Sequence, residues 1–162
     1  FMGMGEPLLN LDRVLAAVEA LNDPRRFGLG ARHITVSTSG VVPGIRRLTA
    51  LGPQFTLAVS LHAARDPLRD VLVPLNRRWP IAEVVAAARD HAKATGRRIS
   101  YEVTMIGGVN DTEADADAMA ARLVEAGTRI RSYISGAAGL MWPKPYWLGL
   151  FAIRIVARIF GT

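Results

Sequence analysis

Apolar residues recur at Leu11, Val14, Leu15, Val18 and Leu21, the i, i+3, i+4, i+7 spacing of one helix face. Asn10 stands where a helix cap belongs, and Asn22-Asp23-Pro24 ends the run. The period then changes. His33 to Ser37 is a β-branched strand leading into Thr38-Ser39-Gly40. Pro43 suits the first turn of a helix carrying Ile45, Leu48 and Leu51, with Gly52 as its C-terminal cap. Phe55 to Leu61 reads as a buried strand that stops at His62, and Asp66 is placed to cap another short helix. Trp79-Pro80 precedes a long Ala-rich helix with Ile81, Val84, Val85 and Ala88 inward and Gly96 at its end. Ile99 to Ile106 is the next strand and Gly107-Gly108-Val109-Asn110 its loop. Asp111 or Thr112 then caps a last helix that Gly127 closes.

With the opening residues counted as a strand, the chain alternates strand and helix up to about residue 129. Such alternation implies an α/β fold of parallel strands joined by right-handed crossovers. Four strands make an arc and do not close a barrel. The polar motifs Gly5-Glu6-Pro7, Ser37-Thr38-Ser39-Gly40, Ser60-Leu61-His62 and Gly107-Gly108-Val109-Asn110 all fall at predicted carboxyl ends of strands, where parallel α/β folds bind ligands. From about Ile130 the alternation stops. Residues 130–162 read as a tail that differs in character from residues 1–129: Gly-rich, then Trp142-Pro143-Lys144-Pro145-Tyr146-Trp147, then an apolar stretch interrupted by Arg154 and Arg158. That stretch is too short and too charged for a membrane span, although an interfacial helix would fit.

Composition changes the picture in two ways. The 162 residues hold 50% hydrophobic side chains, enough for one domain with a core. The net charge is +6, and 18 of the 20 basic residues are Arg, several in pairs such as Arg25-Arg26, Arg46-Arg47, Arg77-Arg78 and Arg97-Arg98. A polyanionic partner such as nucleic acid is one reading, and solvated loop pairs are the other. Cysteine is absent, so disulfides and thiolate-bound metals are excluded within these residues. No signal peptide is visible, which points to the cytoplasm, and the first residue is Phe, as expected for an internal piece of a longer protein.

Singly, the candidate residues say little. Glu6 is held between Gly5 and Pro7, which aims its carboxylate at something. Ser37, Thr38 and Ser39 could cap a turn, His62 could be a structural histidine, and Tyr101 and Glu102 alternate so that one of them faces solvent. No Ser-His-Asp spacing, phosphate loop or HExxH pattern appears.

Together, FMGMGEPLLN, ITVSTSGVVPGI, LAVSLHAARDPLRDVLVPLNRRWPI and YEVTMIGGVNDTEADA closely resemble the RlmN family, radical S-adenosylmethionine methyltransferases acting on adenine C2 of ribosomal RNA and tRNA. The resemblance runs from Phe1 to about Thr128. It implies a partial (β/α) TIM-like barrel of the radical SAM type. It implies S-adenosylmethionine (SAM) and a [4Fe-4S] cluster as cofactors, a reductant for the cluster, and ribosomal RNA and tRNA as partners, with no membrane. It assigns SAM binding to Gly5, Glu6, Ser37, Ser60, Leu61 and His62, with Glu6 meeting the ammonium group. These residues position a cofactor that carries the hard chemistry.

The chain departs from the family pattern where the chemistry is most demanding. The CxxxCxxC loop that ligates the cluster lies upstream in the family, and the methyl-carrying cysteine lies in the C-terminal region. No catalytic or metal-binding residue is therefore assigned to this chain. The family's Asn-Pro strand is replaced by Ile130-Arg131-Ser132-Tyr133. The expectation is a central fragment, inactive alone, with a shifted frame or truncated gene behind its tail. A Cfr-type adenine-C8 methyltransferase shares the same core. A non-catalytic SAM- or RNA-binding remnant is the alternative of a different class.

Overall fold

The computed structural model describes residues 1–2, 5–125 and 131–136. Within them a four-stranded sheet runs in the order β1 (Thr35–Thr38), β2 (Thr56–Ser60), β3 (Ile99–Met105), β4 (Arg131–Gly136). Every neighbouring pair is parallel. The helices are α1 (Leu11–Asn22), α2 (Val42–Leu51), α3 (Asp66–Leu72), α4 (Ile81–Thr95) and α5 (Glu113–Glu125). Strands in chain order joined through helices give the arc of a (β/α) barrel, the α/β architecture expected.

The membership of the arc differs from the expected one. Phe1 and Met2 are not in a strand, yet Phe1 donates from its N-terminus to Thr35 O (2.6 Å) and accepts from Ser37 N (3.0 Å). That is a single rung of parallel pairing along the outer edge of β1. The fourth strand is instead Arg131–Gly136, which pairs with β3 from Ser100↔Arg131 to Met105↔Gly136. The alternation thus continues past the point where the sequence pattern fades, because Ser135-Gly136 reads as a breaker although main-chain pairing with β3 holds it extended. Residues 137–162, with the Trp/Pro-rich stretch and the apolar run, lie outside the described residues.

One hydrophobic cluster joins the sheet to its helices. β3 shows why it forms: Ile99, Tyr101, Val103 and Met105 are buried, while Ser100, Glu102 and Thr104 face the other side half-buried. Ile45 and Leu48 of α2, Ile81, Val84, Val85 and Ala88 of α4, and Ala116, Ala120 and Leu123 of α5 are buried in the same cluster. Each large apolar side chain so buried is worth roughly 1.5–3 kcal/mol relative to exposure. Leu51, expected on the inner face of α2, is 55% exposed, because it is the last residue before the left-handed Gly52 turns the chain away.

The caps also differ from expectation. Asn10 makes no side-chain cap; the chain enters α1 through a 3-10 turn, Pro7–Asn10, whose cap is Glu6. Asp66 lies inside the first turn of α3 and does not cap it. Its carboxylate accepts from Ile81 N (2.9 Å) and Asn76 Nδ2 (2.9 Å), so it caps α4 across the intervening loop. Thr112 does cap α5: Thr112 Oγ1 accepts from Asp115 N, and Asp115 Oδ2 accepts from Thr112 N and Oγ1.

Candidate functional site

Glu6 sits in extended backbone after Gly5, whose φ of +108° is a conformation side chains rarely adopt. Its carboxylate is aimed at the protein itself. Oε1 accepts from Leu8 N (3.0 Å), and Oε2 accepts from Ser39 N (2.8 Å) and Ser39 Oγ (2.7 Å). Three donors on one carboxylate fix the opening segment against the loop after β1.

Beneath that loop lies Arg69, which is fully buried. Its Nη2 donates to Ser39 O (2.6 Å) and Ser60 O (3.1 Å), its Nε to Leu61 O (2.9 Å), and its Nη1 to Asn76 Oδ1 (2.8 Å). One guanidinium therefore fastens the carboxyl ends of β1 and β2 together. Burial pulls its pKa down to about 10, against the charges of Asp66 and Asp70, so it stays protonated at neutral pH. The sequence hides this residue. An Arg between Asp66 and Asp70 on a helix looks like a surface ion pair, and only the short, tucked α3 makes it a core cation.

His62 follows β2 with φ of +59°, the only described non-glycine residue in the left-handed region. Asn110 holds it there: Asn110 Nδ2 donates to His62 O (2.7 Å) and Thr104 O (2.8 Å), and Asn110 Oδ1 accepts from Ile106 N (2.7 Å). The imidazole Nδ1 accepts from Thr104 N (3.2 Å), which leaves Nε2 to carry the proton of the neutral ring. Burial holds the His62 pKa below its ordinary value, the Arg69 charge pushes the same way, and Glu102 opposes both.

These elements enclose a cavity of about 470 Å³ at the carboxyl ends of the strands, within the range of small-molecule sites. Gly5, Glu6, Ser37, Ser60 and His62 line it, joined by Glu102. Four separate sequence segments thus converge on one space. Leu61 does not line it. It is fully buried in the core because strand alternation turns its side chain inward between Ser60 and His62. Leu61 contributes main chain only, its N–H to Glu102 O and its carbonyl to Arg69. Thr38 is also spent on structure, accepting from Gly40 N (3.0 Å) and Val41 N (3.4 Å).

Tyr101 and Glu102 divide as their alternation requires, but neither simply faces solvent. Tyr101 is buried in the core, and Glu102 enters the cavity. The Arg pairs separate too. Arg25-Arg26 and Arg97-Arg98 precede β1 and β3, at the amino ends of the strands and away from the cavity, whereas Arg77-Arg78 lie in the connection that leaves the carboxyl end of β2. No described helix is long and apolar enough to cross a membrane.

Comparison with known proteins agrees with this fold. The Radical SAM superfamily profile matches residues 1–127. A probable dual-specificity RNA methyltransferase RlmN from Parafrankia sp. is 60% identical over 126 residues, which is 76% of this chain and 33% of that protein. Another of the same description, from Symbiobacterium thermophilum, is 55% identical over 119 residues, 74% of this chain and 32% of its own length. The chain therefore spans about a third of the length of these relatives. Among solved structures, a radical SAM methyltransferase from Sphaerobacter thermophilus superposes with a TM-score of 0.88 at 42% identity, covering 98% of this chain and 47% of that one. A domain of pyruvate-formate lyase-activating enzyme from Bacteroides vulgatus shares the fold, with a TM-score of 0.68 at 15% identity, over 98% of this chain and 92% of that one. The chain belongs to the Radical SAM superfamily, and its curated relatives there are of the RlmN type.

Proposed function

We propose that the chain is the SAM-binding segment of a radical SAM RNA methyltransferase that modifies adenine C2 in large-subunit ribosomal RNA and tRNA. The carrying observation is the convergence of Gly5, Glu6, Ser37, Ser60 and His62 on one cavity at the strand ends. The 60% identity to an RNA methyltransferase of the RlmN type supports the same reading.

In this reading SAM, with a [4Fe-4S] cluster, supplies the methyl group and the radical chemistry. The cavity suits the nucleoside and amino-acid parts of SAM in size and in its hydroxyl, carboxylate and imidazole lining. The cluster has no matching ligands here, since the 162 residues include no cysteine. What the chain's own residues do is bind and orient. Gly5 lets the ligand approach the backbone closely. Glu6, its carboxylate already engaged, holds that backbone in place and offers its remaining lone pairs to the ammonium group. Ser37, Ser60 and His62 line the same cavity, and Leu61 sets the spacing between the last two.

Binding is tested by isothermal titration of the chain with SAM and S-adenosylhomocysteine. Saturable binding that Ser60→Ala weakens supports the reading, and its absence overturns it. The modification is tested by mass spectrometry of RNA nucleosides from cells with and without the gene. Gain of 2-methyladenosine is expected. Gain of 8-methyladenosine assigns the Cfr-type reaction instead. Neither product, together with SAM binding, leaves the non-catalytic binding module.

A further inference from the structure

His62 stands at the centre of a strained turn. Ala63 N donates to Leu61 O (2.7 Å), which closes a three-residue turn around it, and its φ of +59° makes that turn the rare γ form. A histidine keeps such a backbone only where its surroundings over-determine it.

Here the surroundings are a closed ring of bonds through Thr104 and Asn110. Thr104 N donates to His62 Nδ1 (3.2 Å). Asn110 Nδ2 donates both to Thr104 O (2.8 Å) and to His62 O (2.7 Å). The main chain and the ring of one residue are thus tied to a single position on β3. The imidazole Nε2 carries the proton and, among the described residues, makes no hydrogen bond.

Asn110 also has a local task. Its Oδ1 accepts from Ile106 N (2.7 Å), across the exposed residues Gly107, Gly108 and Val109. Tethering that loop uses the bonds to Ile106 and Thr104. It does not use the bond to His62, 48 residues away in sequence, which reaches a residue of the cavity wall.

We propose that Asn110 is a positioning residue for ligand binding: it holds His62 in its strained turn, so that the imidazole offers Nε2–H to the ligand in one fixed pose. This rests on the SAM-binding reading above and gives Asn110 no contact with the ligand.

A double-mutant cycle on the full chain tests the assignment. Affinity for S-adenosylhomocysteine is measured by titration for the native protein, Asn110→Ala, His62→Ala and the double variant. Each single change should weaken binding about 10-fold, and the double variant should bind no more weakly than His62→Ala. Losses that add would show that Asn110 acts independently of His62, and overturn the proposal. A second readout separates positioning from loop tethering. Long-range proton–nitrogen spectra of the imidazoles, with the His62 signals identified by their loss in His62→Ala, should show the Nε2–H tautomer in the native chain and a shift toward a tautomer mixture in Asn110→Ala. Unchanged His62 signals would overturn the proposal. If S-adenosylhomocysteine binds and Asn110→Ala leaves its affinity unchanged, the proposal fails while the SAM reading stands. If the native chain does not bind it, both fall. Should Asn110→Ala prove unfolded by circular dichroism, Asn110→Asp takes its place in the same measurements with the same outcomes, since it keeps the acceptor for Ile106 N and loses the donors to His62 and Thr104.

Discussion

The carboxylate of Glu6 takes both the main-chain N–H and the hydroxyl of Ser39, across 33 residues of sequence. A residue that reads as a ligand hook is thereby also a structural clamp. Glu6→Ala removes this clamp and the cap on the Pro7–Asn10 turn, and should cost about 1–3 kcal/mol in urea denaturation. Ser39→Ala, which keeps the main-chain donor, should cost less than Glu6→Ala. Equal costs would show that the hydroxyl alone carries the interaction.

Arg69→Met leaves the carbonyls of Ser39, Ser60 and Leu61 without their buried donor. Destabilisation of about 3–5 kcal/mol is expected. Arg69→Lys keeps a charge but not the planar fork, and should recover only part of this loss. Full recovery by Lys would mean that charge matters here and geometry does not.

Tyr101 is buried, and its hydroxyl finds no partner among the described residues. Burial also raises its pKa, so it stays neutral. Tyr101→Phe should hold or raise stability by about 1 kcal/mol, since an unmatched polar atom is removed. A clear loss in thermal denaturation would reveal a hidden partner.

His91 is fully buried, with Nδ1 at 3.2 Å from Thr49 Oγ1 and Nε2 unpartnered among the described residues. Burial lowers its pKa from the ordinary histidine value, and that of His62 falls for the same first reason. Unfolded histidines bind protons at higher pH than these folded ones. Stability is therefore full above about pH 6.5 and declines as pH falls below it. His91→Gln should flatten part of that decline in denaturant titrations between pH 7 and 5.

Gly44 has no room for a side chain: a Cβ there would lie 2.6 Å from Leu8 Cβ. Gly44→Ala should cost about 1–3 kcal/mol by prising α2 from the opening turn. A neutral result would show that Leu8 moves aside freely.

The arc of parallel strands was legible because hydrophobic period alone separates α1 and α4 from β2 and β3. Glu6, Ser37, Ser60 and His62 were legible because each follows or ends such a run. Where the Leu61 side chain points was not legible, because a motif read as a string carries no alternation, and every second residue of a strand points away. The role of Arg69 stayed hidden, and so did that of Asn110 within its motif, because most of their partners are main-chain groups, which leave no trace in sequence spacing. β4 was missed because its place comes from pairing with β3 and not from its own composition.

The fastening of β1 and β2 by one buried guanidinium has a kinetic consequence. Their rim cannot breathe strand by strand, since moving either carbonyl end means stripping the cation of its acceptors. The opening segment is fastened to the same rim, Phe1 on Thr35 and Glu6 on Ser39, so the site should present one preformed shape to its ligand.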